Sequence, residues 1–71
     1  MMKTPKQILE FLIKEKAQGN TFQELNVQMR IMMKGINVKA ILNGEMSDDT
    51  ALINKLEEIA KEFDVDMSKM E

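Results

Sequence analysis

Neither cysteine nor histidine occurs among the 71 residues. Without cysteine there is no disulfide and no thiol chemistry. Without either residue a structural zinc site of the usual kind is excluded, and no metal or other cofactor is expected. Tyrosine is missing too, and no glycine-rich loop could cradle a phosphate. The groups that most often carry acid–base and nucleophilic work are therefore scarce. Ser47 and Ser68 have no base beside them in sequence. The carboxylate pairs Asp48/Asp49 and Glu57/Glu58 stand at i,i+1, where helix neighbours diverge. These absences point away from an enzyme. No apolar run approaches the roughly 20 residues of a membrane span. The start Met1-Met2-Lys3 lacks the apolar segment of a signal peptide. A cytoplasmic protein without a membrane partner is the expectation.

What is present is enough for one domain, residues 1–71, near the lower limit for a self-sufficient core. A chain of this size buries only about 60% of the surface its unfolded form exposes. The net charge of −2 is not that of a generic nucleic-acid binder, but the charge is unevenly spread. Residues 1–44 carry seven basic side chains against three acids, a balance of +4. Residues 45–71 carry three lysines against nine acids, a balance of −6. Such a chain presents either a basic face to a phosphate backbone, with the acids turned away, or one solvated acidic helix.

The pattern is helical throughout. Thr4-Pro5-Lys6-Gln7 reads as a capped start, with Pro5 in the first turn, where its missing N–H costs nothing. Ile8, Leu9, Leu12 and Ile13 follow on one face, with Phe11 beside them, and Gly19 ends the helix. Thr21-Phe22-Gln23-Glu24 has the form of a second capping box, with Thr21 as cap. Phe22, Leu25 and Met29 form that helix's apolar stripe at i, i+3 and i+7. The third helix either begins near Lys34 or is a short one capped by Asn37 and running to Leu42. Asn43-Gly44 stops it in both cases. Ser47-Asp48-Asp49 opens the fourth, with carboxylates where the helix dipole favours them. Leu52, Leu56, Ile59, Ala60 and Phe63 then give the cleanest amphipathic spacing in the chain. Asp64 breaks it, Val65 and Met67 return to the core, and Ser68 to Met70 form a last turn. The expected fold is all-α, a compact domain of four to five helices.

Three runs stand out: Thr21-Phe22-Gln23-Glu24-Leu25, then Ile41-Leu42-Asn43-Gly44, then the segment from Ile59 to Met70. In order and character they resemble the small DNA-binding domain of phage repressors, the Xre/Cro family. That family's pattern is T-x-x-E-L, I-x-x-I-x-N-G and I-A-K-x-Φ-x-V-x-Φ-x-x-Φ, where Φ is apolar. The resemblance extends from Ile8 to Met70 and implies a helix-turn-helix within residues 21–43. On it Leu56, Ile59, Ala60, Phe63, Val65, Met67 and Met70 fall at core positions. Asn26 stands where the family has a small residue, and Arg30 where it has a turn glycine. Two extra residues between Leu25 and Ile41 go either into a longer second helix or into a longer turn around Met32-Met33.

By that resemblance Asn37 lies at the base-reading start of the recognition helix with Lys39 on the same exposed face, and Arg30, Lys34 and Lys39 reach phosphates. Only Asn37 has the amide fork that pairs with adenine, and the same residue also suits a helix cap. The implied function is a bacterial or phage transcriptional regulator, acting as a homodimer on double-stranded DNA. Against it stand the acids of Glu45-Met46-Ser47-Asp48-Asp49, which would repel a phosphate backbone. The alternative is a copy of the fold that binds a protein partner, such as an antirepressor or an assembly factor. Its surface would be Met29, Met32 and Met33. With Ile31 and Ile36 these make five large apolar residues in eight positions, more than one small helix face can bury. They are either a deep, loosely specified core or an exposed patch.

Overall fold

Thr4 takes an extended backbone and closes a reciprocal box with Gln7. The Gln7 amide donates to Thr4 Oγ1 at 3.2 Å, and the Thr4 amide donates to Gln7 Oε1 at 3.0 Å. Helix α1, Pro5–Ala17, follows from it, and the computed structural model describes residues 4–45 and 50–70. Ile8, Leu9, Leu12, Ile13 and Ala17 are all buried on its inner face. The helix stops one residue before the expected glycine, because Gln18 already adopts the left-handed conformation and Gly19 continues it.

Helix α2, Thr21–Met33, is capped by Asn20 and not by Thr21. Asn20 Oδ1 accepts from the Phe22 amide at 2.9 Å and the Gln23 amide at 3.2 Å. This corrects the capping-box reading of Thr21 and Glu24. The left-handed turn at Gln18-Gly19 delivers an extended backbone to Asn20, one position earlier, so Thr21 becomes the first helical residue. The helix runs on through Met33, so Met32-Met33 belong to α2 and not to a longer turn. Gly35, at φ 90°, turns the chain, and the short third helix is the alternative adopted.

Helix α3, Val38–Leu42, is capped by Asn37, whose Oδ1 accepts from the Ala40 amide at 3.2 Å. It closes at Asn43-Gly44 with the Gly44 amide on Ile41 O and the Glu45 amide on Ala40 O, a Schellman pair. Helix α4, Thr50–Glu62, ends in a second Schellman pair. There Asp64, at φ 59°, takes the left-handed position, and the Val65 amide reaches Ala60 O at 2.9 Å. The expected cap at Ser47-Asp48-Asp49 lies outside the described residues. A 3-10 turn, Met67–Lys69, finishes the fold.

The described residues therefore form an all-α domain of four helices and a terminal turn. Helix α1 is its hub and packs against α2, α3 and α4. The core joins the inner face of α1 to Val27, Ile31, Ile36, Val38, Ile41, Leu56, Ile59, Ala60 and Phe63, and among the described residues no methionine is buried in it. Val65, Met67 and Met70 lean on it part-buried, as do Leu42, Leu52 and Ile53. No buried side-chain polar atom among the described residues lacks a partner. No described helix is long and apolar enough to cross a membrane.

Asp66 caps the final turn, accepting from the Ser68 hydroxyl at 2.7 Å and the Ser68 amide at 3.0 Å. Those bonds, helped by Lys69, hold its carboxyl below the ordinary aspartate value of 3.8. A carboxylate with a depressed pKa stabilises the fold above its unfolded pKa, and that stabilisation is lost as pH falls through the folded value. The turn should therefore stay intact at neutral pH and loosen only below about pH 3.8. An NMR pH titration of the Asp66 carboxyl carbon and the Ser68 amide checks this. A midpoint above the ordinary aspartate value would refute it.

Candidate functional site

Two apolar stripes run along α2. Val27 and Ile31, one turn apart, face the core and are almost wholly buried. Phe22, Leu25, Met29 and Met32 recur at i, i+3, i+7 and i+10, with Met33 beside them. They are 82, 56, 60, 48 and 85% exposed in the order Phe22, Leu25, Met29, Met32, Met33. At 100° per residue the two stripes point about 170° apart. The stripe that spacing picks out, Phe22, Leu25 and Met29, thus faces outward, and the buried face is Val27 and Ile31. Two β-branched residues anchor α2, and the larger, more flexible side chains face outward. The three methionines separate from Ile31 and Ile36, which are buried.

Leaving this face in water is costly. Burying a large apolar side chain is worth about 1.5–3 kcal/mol, and these five forgo much of it. Their spacing is also ordered. The intervals of three and four residues are those of the a and d positions of a coiled-coil seam. The flanking e and g positions hold Asn26, Met33, Thr21 and Gln28, none of them charged. The two charged residues within α2, Glu24 and Arg30, lie off the seam.

The four residues assigned to DNA contact divide into two pairs. Arg30 and Lys34 come together at the C-terminal end of α4. The Arg30 guanidinium sits 4.8 Å from the centre of the Phe63 ring. Lys34 Nζ lies 5.9 Å from the same centre and pairs with Glu62 Oε1 at 2.8 Å. Asn37 and Lys39 belong to α3. Asn37 spends its carbonyl oxygen on the cap, which leaves its amide half of the fork that adenine needs. Lys39 is exposed and has no ion pair among the described residues. Helix α3 has five residues, about 7.5 Å at the usual rise.

Two participants, Lys16 and Lys55, escaped the sequence reading, and a third, Phe63, was read only as core. Phe63 is the hub on which cations from two helices converge. Lys16 is the third of these, 5.9 Å from the ring centre, and it donates to Phe63 O at 3.0 Å. Lys55 Nζ lies 3.6 Å from where a Cβ would stand at Gly35, directly against the α2–α3 turn. Only the separation of Phe22 and Leu25 from Val27 and Ile31, two stripes on one helix, was open to detection from spacing. Among the described residues no group of three acids is placed to hold a metal ion. No protein-family model, curated protein or solved structure matches the chain.

Proposed function

We propose that this protein is a helical protein-interaction module that packs a helix against the outer face of α2. The observation that carries this is the stripe from Phe22 to Met33, exposed along the whole helix while the opposite face is fixed in the core. An apolar patch of this extent on a small domain is the mark of a contact surface. Methionine suits it, since a flexible thioether chain adapts to a partner's shape. The helix is held rigid by its Asn20 cap and its two buried anchors, so a partner meets a preorganised surface.

The reading as a repressor-like DNA-binding regulator draws on the helix–turn–helix order of α2 and α3, on exposed Lys39, and on Lys55 beside the turn. It is weakened by the engagement of Arg30 and Lys34 with Phe63 and Glu62, and by the short α3. One experiment separates the two readings. A photo-crosslinking amino acid placed at Met29 should give protein adducts in cells, and one placed at exposed Glu58 on α4 should give none. In parallel, the purified protein should show no binding to duplex DNA at about 50 mM salt, where phosphate contacts are strongest. Adducts that are nucleic acid, or DNA binding that a Lys34→Ala/Lys39→Ala double substitution abolishes, would replace this function with the DNA-binding one.

A further inference from the structure

We infer that the partner of the α2 face is a second copy of this chain, with α2 and its symmetry mate packed as an antiparallel two-helix seam. The inference rests on the interaction reading above and names its occupant. Three observations select it.

The first is charge. Where a helix pairs with a different helix, residues at e and g commonly carry the charges that choose the partner and set its direction. Here those positions are Thr21, Asn26, Gln28 and Met33. A charged partner would find no complement along this seam, and an identical helix meets no like-charge repulsion. The second is area. With about 200 Å² for each bare large side chain, the exposed fractions amount to roughly 650 Å² per copy. A pair can then bury at most about 1,300 Å² from these side chains, the lower end of the range of stable interfaces before the flanking residues are added.

The third is shape. A two-fold interface brings the same patch from both copies together. In the antiparallel arrangement Leu25 meets the mate's Met29, and Phe22 meets its Met32. Each ring thus lies against a thioether, a favourable contact, and the two helix dipoles oppose. A parallel pair would set Phe22 on Phe22 and align the dipoles. Val27 and Ile31 remain in each protomer's own core, so no helix is exchanged between protomers.

Sedimentation equilibrium on the purified full chain tests this. The mass should rise from 8.2 kDa towards twice that value, with a dissociation constant on the order of 10 µM. The Leu25→Glu/Met29→Glu double variant should bind at least about 100-fold more weakly, because pairing would bury like charges. Its helical circular dichroism at low concentration should match the wild type, since neither side chain belongs to the core. Lys39→Glu should dimerise as the wild type does. Because the chain has no cysteine, mixing Leu25→Cys with Met29→Cys under mild oxidation should give chiefly the mixed disulfide.

A chain that stays at 8.2 kDa up to about 1 mM, or a dimer that survives the double glutamate change, would overturn the proposal. Disulfides joining only like positions would overturn the antiparallel pairing. Adducts from position 29 tell the two readings apart. If they hold other proteins and never the doubled chain, the interaction reading stands and the self-pairing falls. If there are no protein adducts and no dimer, both fall.

Discussion

Ile31→Ala is expected to cost about 3–4 kcal/mol, whereas Met32→Ala, one position along the same helix, should cost less than about 0.5. Ile31 is fully buried and Met32 is 48% exposed, so the first substitution leaves a cavity in the core and the second removes surface. A domain of 71 residues holds roughly 4–10 kcal/mol in all. Losing a third or more of that should lower the melting temperature by about 15–25 °C. Thermal unfolding followed by circular dichroism gives the comparison. At about 2 µM protein the outer face of α2 is largely free under the proposed dimer constant, so Met32 reports on the fold alone. Equal costs at the two positions would mean that α2 is rotated from the orientation described and that its methionines are core.

That pair of positions also marks where the sequence was legible and where it was not. In α1 and α4 a single apolar stripe coincides with the buried face, so spacing gave the buried residues directly. The short α3 was readable from its ends, Asn37 as cap and Asn43-Gly44 as stop. Helix α2 carries apolar residues on both sides, and the more populous side faces outward. A count of apolar positions therefore favours the wrong face. Side-chain character held a better signal, because Val27 and Ile31 are stiff aliphatic residues and the outer set is mostly methionine. The start of α2 was ambiguous for a related reason: Asn20 and Thr21 are both good caps. The choice was made by the left-handed turn at Gln18-Gly19, which local preference alone does not specify.

The basic residues were legible as charges but not as contacts. Arg30 and Lys34 lie 33 and 29 residues from Phe63, and Lys16 lies 47 away. No local spacing rule joins such positions; only the packing of α1, α2 and α4 brings them to one ring. The gathering has a physical cause. Phe63 follows the last residue of α4, where the aligned peptide dipoles give the helix end partial negative charge. Its ring face is negative as well, and Glu62 beside it carries a full charge. Three cations share this site, and their mutual repulsion is offset by the helix end, the ring and the carboxylate together. The basic excess of residues 1–44 is thus partly neutralised within the domain itself.

Phe63→Ala should therefore be the second severe substitution, costing about 3–5 kcal/mol by the loss of a buried ring. Phe63→Leu separates burial from the pull of the ring. Leucine restores much of the apolar volume but offers the cations no quadrupole, so about 1–2 kcal/mol should remain as the cost. Urea denaturation of both variants and the wild type measures the difference. If leucine were as costly as alanine, the ring's interaction with Lys16, Arg30 and Lys34 would dominate. If leucine cost nothing, the three cations would gather there for the helix end and Glu62 alone. An intermediate value fits the geometry best: the ring is 4% exposed, so most of its worth is burial, and only the Arg30 guanidinium, at 4.8 Å, is close enough for a strong contact.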